Sequence, residues 1–588
     1  MSRVPTLDVV LGGRRTGVRL HPPGRSLPLW GVAVAAVAVA VACTGVACTG
    51  PVAASGRSVG TASPVRTRAT PSDWTVYHGE PDGSGAPSRA PNLRSPTRAW
   101  QSPTLDGAVY GEPLEAAGRV IVATERDTVY ALAAASGRVA WSTHVGDPVP
   151  ADELPCGNVV PTVGITGTPL VDLARSEVFV VADELVHGRP THRLVGLDLY
   201  TGKVLADRRV DPPGSTPAAL LQRTGLALDR GHVVFGFGGN YGDCGRYHGW
   251  VVSVPASARG RIRRDEIAAR PKDRQGAVWM GGAAPEVGAR GSIWVATGNS
   301  AATTGAYDGS DSVVELRPTL HRVGVFAPAG WAADNAGDRD LGSSAPALLA
   351  DGEVLQVGKS STAYLLGGSH LGGVGGQRAS RAVCDGTVAD GGDAVRGHTV
   401  YVACRAGVEA LVVGRDAVER KWDAARTVTT GGRTSNVPDD PPIVAGGLVW
   451  SVGGTVLYGL DAATGAATVR LPIGTNANDF ATPSLGDGLL LVTGGRHGDA
   501  VLAFAGPHGL PKPPAPAPPA PGGARHRAPR RGPRQHVGHT QRQWQHIPTG
   551  AGHRDRQRMI VEEYSEGRVV LGGAAPDQAG VAGQEIRR

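Results

Sequence analysis

The sequence predicts an all-β protein, an eight-bladed β-propeller of four-stranded antiparallel blades, preceded by one transmembrane helix and followed by a disordered tail. Three observations carry this reading. Glycine makes up 86 of 588 residues, while charged residues are 19% and hydrophobic ones 41%, a balance that favours many short strands and turns over a helical bundle. A short phrase of strand, turn and strand recurs along the chain, and prolines punctuate it at a regular interval.

The elements follow in chain order. Residues 1–26 form a basic N-terminus carrying Arg3, Arg14, Arg15, Arg19 and Arg25. Residues 27–47 (LPLWGVAVAAVAVAVACTGVA) hold no charge and are long enough, as a helix, to cross a hydrocarbon layer of ~30 Å. Basic residues stay on the cytoplasmic side, so this segment sends the rest of the chain to the extracytoplasmic side of the cell membrane as a single-pass protein. Ala40-Val41-Ala42 before Cys43 leaves processing open among an uncleaved anchor, a lipid-anchored form and a secreted form. Residues 48–72, small and rich in Pro, Gly, Ser and Thr, read as a flexible linker.

The repeat occupies 73–506. Gly118-Arg-Val-Ile-Val-Ala-Thr, Asp127-Thr-Val-Tyr-Ala-Leu and Ser136-Gly-Arg-Val-Ala-Trp141 form one phrase, and Leu194 to Lys203 and Leu457 to Gly465 repeat its centre. In the Asp-x-x-Thr-Gly turns of the last two, the Asp side chain bonds backbone two residues on and Gly supplies the positive φ before the next strand. Pro113, Pro169, Pro285, Pro346, Pro442 and Pro483 open six units. The two long gaps between them each hold one more, around Leu226 to Val254 and Thr399 to Val413, giving eight units of about 53 residues. Such units bury their faces only by stacking radially into a closed ring. The last unit lacks a fourth strand, and Arg98-Ala-Trp100 mimics Val139-Ala-Trp141, so the N-terminal strand is expected to complete the last blade.

From 507 to 588 a Pro-rich run passes into an Arg- and His-rich one almost without aliphatics, which predicts disorder. The tails hold most of the formal charge of +7: residues 511–558 alone have ten basic side chains against Asp555. The central body is close to neutral, which excludes a nucleic-acid partner for the propeller. No Gly-x-Ser-x-Gly, His-Glu-x-x-His or P-loop pattern is present.

These repeats, with GNYGDCGRYHGW (239–250), YDGSDSVVEL (307–316) and GSSAPALL (342–349), resemble the PQQ-like β-propeller repeats, in particular membrane-anchored actinobacterial members. That family includes quinoprotein dehydrogenases and non-catalytic propellers such as the bacterial outer-membrane assembly protein. The resemblance implies a candidate site for each role a dehydrogenase needs. Asn299, in Thr297-Gly298-Asn299, resembles the calcium-binding element; Asp338 or Asp340, in WAADNAGDRD (331–340), matches the catalytic aspartate; Lys359, after Val357-Gly358, resembles the basic residue that reaches the quinone.

The departures weigh against activity. No Cys-Cys pair covers a cofactor, no acidic calcium ligand is found in the second repeat, and the tryptophan beneath the quinone has no obvious position. Asn299, Asp338 and Asp340 are therefore expected to be turn and loop residues, and Lys359 a strand-end surface lysine. His248 could line a pocket beside Tyr247, though a loop hydrogen-bonding role is the simpler expectation. Outside the membrane Cys156, Cys244, Cys384 and Cys404 can pair, with Cys384–Cys404 and Cys156–Cys244 expected. The leading expectation is a membrane-anchored binding or scaffold module with an envelope protein or small ligand as partner. The alternative is an alcohol or sugar dehydrogenase using PQQ and calcium.

Overall fold

A computed structural model describes residues 73–507 except 158, 269–273, 425, 431–432, 438 and 475–477. The predicted membrane segment and C-terminal tail lie outside the described residues; among those described, no helix is long and apolar enough to cross a membrane. Eight antiparallel sheets follow one another around a ring. Their first strands begin at Leu114, Leu170, Ala227, Glu286, Ala347, Ala394, Ile443 and Ser484 (blades 1 to 8). Six of these starts come directly after the six prolines singled out in the sequence. Proline fixes its own φ and gives no N–H, so it suits the entry to a strand but not its interior.

The ring closes as the sequence predicts. Thr97–Gln101 runs antiparallel to Ala500–Ala505, with Thr97 opposite Ala505 and Gln101 opposite Leu502, so the start of the propeller supplies the outer strand of blade 8. Blades 3 and 4 each carry one strand beyond the expected four: Leu220–Leu221 joins blade 3, and Gly373–Val374 adds in parallel to blade 4.

Burial falls from the axis outward. The inner strands Leu114–Ala116, Leu170–Asp172 and Ile443–Ala445 are buried at every position. The outer strand Val204–Arg209 has no buried residue. One apolar cluster is continuous from Trp450 of blade 7 through Leu490 and Phe504 of blade 8 and Ile121 of blade 1 to Val178 of blade 2.

Adjacent blades are locked by a recurring contact. The indole N–H of Trp141, on the outer strand of blade 1, donates to the Leu199 carbonyl of blade 2 (3.0 Å), and the ring covers Gly202. Trp100 does the same from blade 8 to Ala134 and Gly137 of blade 1, and Trp422 from blade 6 to Ala462 and Gly465 of blade 7. The three glycines have φ of 68°, 70° and 73°, and a Cβ on any of them would strike the indole. Glycine is needed here twice over, for the left-handed backbone and for the close approach.

The N-terminal segment before the closing strand has a role that the sequence did not reveal. Residues 74–86 thread the axis, pairing in turn with inner strands. Glu115 of blade 1 exchanges bonds with Trp74, and Val171 of blade 2 donates to Thr75 (2.8 Å). Val287 of blade 4, Val395 of blade 6 and Val444 of blade 7 then donate to Pro81, Ser84 and Gly85. Inner-strand N–H groups facing an open channel would otherwise need water, so this segment satisfies them and fills the axis.

The docking contact generates a test. Trp141→Ala removes a buried indole and its hydrogen bond, and is expected to cost roughly 3–5 kcal/mol. Urea unfolding should show a lowered midpoint, whereas alanine at the exposed, outward-facing Val204 should leave it within about 0.5 kcal/mol.

Candidate functional site

In an antiparallel blade the entry to the first strand and the exit from the second lie at the same end. Residues before each inner strand and after each second strand therefore crowd one mouth of the ring. Asn299 follows the second strand of blade 4 (Ile293–Ala296), Lys359 follows that of blade 5 (Glu353–Gln356), and Asp338 and Asp340 lie in the connection between these blades. A single helical turn, Trp331–Ala336, precedes the aspartates where the sequence suggested only turns and loops. Asn335 from that turn accepts from the Ser300 N–H (2.9 Å), tying the connection to blade 4.

All four sequence candidates come together. The Asn299 N–H donates to Asp340 Oδ1 (2.8 Å), and Asn299 Nδ2 donates to Asp338 Oδ1 (3.0 Å). Lys359 Nζ lies 2.5 Å from Asp340 Oδ2 and 3.6 Å from Asp338 Oδ2. Gly298 permits the approach, since a Cβ there would collide with the Asp340 carboxylate. The expectation of a surface lysine is corrected: the Lys359 side chain is 19% exposed. Burial opposes its charge, but the Asp340 carboxylate outweighs this and raises its pKa.

Trp279, in the approach to blade 4, adds an aromatic ring to this group. Lys359 Nζ stands 5.5 Å from its ring centroid, and Phe480, which precedes blade 8, meets it edge-on at 5.8 Å. On the other side of Phe480 lies Arg223, with its guanidinium carbon 5.4 Å from the Phe480 ring and 5.9 Å from that of Tyr110. Arg223 is buried, which lowers its pKa, and it donates to the Asp479 carbonyl (3.2 Å). Asp390, Asp439 and Asp440 complete this rim, each pushed toward its protonated form by burial first and by neighbouring carboxylates. No local spacing marks these residues; only the eightfold alignment of strand entries brings them together.

Both expected disulfides are present, Cys156–Cys244 and Cys384–Cys404. The first joins the connection between blades 1 and 2 to a loop of blade 3 that carries Asp243, whose carboxyl is held above its usual range by burial, with Asp340 and Asp338 adding to this. Tyr247 donates its hydroxyl to Asp243. His248 faces Glu266 at 3.9 Å and takes no part in the Lys359 cluster.

The residues do not fit calcium as they stand. Calcium takes six to eight oxygens. Here one oxygen of each aspartate accepts from Asn299 and the other faces the Lys359 ammonium, which occupies the place of a cation.

Residues 89–244 match the family model described as outer membrane protein assembly factor BamB. Among solved structures the fold is similar to the quinohemoprotein alcohol dehydrogenase of Comamonas testosteroni, with TM-score 0.53 and 17% identity over 75% of this chain and 81% of that one. A quinohemoprotein alcohol dehydrogenase of Pseudomonas putida HK5 gives 0.55 and 14% over 77% and 83%. A europium-containing methanol dehydrogenase gives 0.54 and 13% over 74% and 98%. At these identities the likeness is one of fold. A search of curated protein sequences found no match.

The buried acids set a pH dependence. Burial, with Asp487 and Asp73 nearby, pushes Glu115 up to about 9; burial pushes Asp393 to about 8, and burial with Asp390 pushes Asp439 to about 7. Each holds a proton in the folded chain that the unfolded chain releases near pH 4. Their contribution is complete below that pH and is lost as pH rises through 7 to 9. In chelator, the melting temperature should therefore be several degrees higher at pH 5.5 than at pH 9.

Proposed function

We propose, since this chain is a PQQ-like β-propeller protein, that it is a non-catalytic binding or scaffold module of the cell envelope, presenting the mouth of its ring to a small ligand or an envelope protein. The observation that carries this reading is the commitment of Asp338 and Asp340: every oxygen of the pair faces Asn299 or Lys359. A general base needs a lone pair within reach of the substrate proton. In this cluster Asn299 and Lys359 compete for those oxygens and use them to hold the loops of blades 4 and 5 in place.

The second reading, a PQQ- and calcium-dependent alcohol or sugar dehydrogenase, is favoured by one observation, the convergence of Trp279 and Lys359 with Asn299, Asp338 and Asp340. Purified protein incubated with PQQ and calcium distinguishes the two. The binding module shows no dye-linked oxidation of alcohols or sugars, and Asn299→Ala and Asp340→Ala leave that unchanged. Turnover lost in both variants would establish the dehydrogenase.

The envelope address rests on the uncharged 27–47 segment and the arginines before it, with the propeller on the extracytoplasmic side. Two disulfides support it, since they persist in oxidising compartments. A reporter that is active only outside the cytoplasm should be active when fused after Gly50; activity there of a cytoplasm-only reporter would reverse the address.

A further inference from the structure

The joint between blades 2 and 3 holds a buried histidine with a carboxylate on either side. His192 stands in the third strand of blade 2 (Arg189–Asp198), directly opposite Asp183 of the second (Glu177–Val186). Its Nδ1 bonds Asp211 Oδ1 (2.9 Å), and its Nε2 faces Asp183 Oδ2 at 3.6 Å. All three side chains are buried, and the imidazole packs edge-on against Phe237 of blade 3, 4.8 Å between centroids. Neither Asp183 oxygen accepts a hydrogen bond, so the charge of the ring is what Asp183 has to face.

The other charges nearby do not replace it. Arg209 donates to Asp211 Oδ2 (2.6 Å), Arg264 of blade 3 donates to the Asp211 carbonyl (3.4 Å), and Arg193 is engaged by Asp207 (2.6 Å) and faces Glu184 at 3.7 Å. Glu184 and, from blade 1, Asp127 and Glu125 are close enough to feel Asp183, and they add only negative charge. Burial opposes a charge on His192, but Asp183 and then Asp211 outweigh it and hold its pKa above the usual 6.5. Burial likewise opposes the Asp211 charge, and the bond from His192 outweighs it and lowers that pKa.

This histidine fastens the connection from blade 2 to blade 3. The His192 N–H donates to Asp211 Oδ1 (3.2 Å), and the Val210 N–H donates to the His192 carbonyl (2.9 Å). The connection then runs through the turn Pro217–Ala219 and the short strand Leu220–Leu221 and leads into Arg223 of the mouth. Pro213, Gly214 and Thr216 are exposed, so the stretch nearest the histidine gains little from packing.

We propose that the His192 imidazolium is a pH-sensitive latch: clasped by Asp183 and Asp211, it holds the 211–222 connection against blade 2, and loss of its proton loosens that connection. A neutral imidazole can still donate to Asp211, but it leaves Asp183 buried without a counter-charge, which is costly. Because the folded chain holds this proton more tightly than the unfolded one, the contribution of His192 is complete below about pH 6.5 and is lost as pH rises through the folded value. The share of Asp211 is lost only on acidification, below the usual carboxylate range.

Hydrogen exchange of the full-length protein, read by mass spectrometry and corrected for the intrinsic effect of pH on exchange, provides the test. Between pH 6 and pH 9 the protection of 211–222 should fall by about tenfold or more, and by more than that of Leu448–Gly453 in blade 7. In His192→Gln, neutral at every pH, 211–222 should be weakly protected already at pH 6 and show no such fall. Asp183→Asn keeps the histidine and removes the charge that holds its proton, so the fall should move to lower pH. Unchanged protection of 211–222 in the wild-type chain would overturn the latch, as would a fall no larger than that of Leu448–Gly453 or one that persists in His192→Gln. Should His192→Gln fail to fold, an unmoved midpoint in Asp183→Asn would overturn it equally.

Discussion

The structure depends on how one blade holds the next. A four-stranded sheet has two apolar faces and two open edges, and neither is tolerable alone in water. Trp100, Trp141 and Trp422 address the contact between faces by carrying an indole from an outer strand onto a glycine turn of the following blade. Each contact combines apolar area with a hydrogen bond that satisfies both the indole N–H and a turn carbonyl. Because the partner must be a left-handed glycine, the contact also fixes where that turn stands. The remaining edge problem is solved by Thr97–Gln101, which joins the first part of the propeller chain to its last blade.

Ring closure dictates what the two ends of the molecule can do. Residues 74–86 satisfy inner-strand N–H groups from five blades, so the axis is occupied by protein where they pass. The mouth, where inner strands begin and second strands end, is left to gather side chains from every blade. Lys359, Trp279, Phe480, Arg223 and Tyr110 come from five different blades or their approaches, yet form an unbroken chain of cation and ring contacts. The same rule places Asp127 and Asp183 near one another at the blade 1 and 2 positions.

What was legible in the sequence follows the range of the physics involved. Prolines and Asp-x-x-Thr-Gly turns act within a few residues, so the blade starts and the eightfold count could be read directly. The closing strand was legible because Arg98-Ala-Trp100 repeats Val139-Ala-Trp141. The Asn299, Asp338, Asp340 and Lys359 group was legible only through a family resemblance. The positions of Trp279, Arg223 and Phe480 were not legible, since residues separated by more than two hundred positions meet only after the ring closes. The axial course of 74–86 gave no signal either, because it is held by backbone bonds that leave no pattern in side chains. One signal was available and unused: Glu125, Asp183 and Lys359 occupy equivalent places on their second strands, with Asn299 one residue beyond that place in blade 4, and aligning them would have gathered the polar mouth.

That equivalence bears on how one ring can hold two different solutions to buried charge. In blade 5 the position supplies Lys359 opposite Asp338 and Asp340, so one ammonium offsets part of the charge of two carboxylates. In blades 1 and 2 the same position supplies Glu125 and Asp183, with Glu184 beside them, and the nearby His192 and Arg193 are shared with Asp211 and Asp207. A lysine offsets part of the carboxylate charge and lowers the demand of a cluster for a further cation. Incomplete neutralisation leaves buried acids held toward their protonated form, so their contribution to stability follows the pH of the solution.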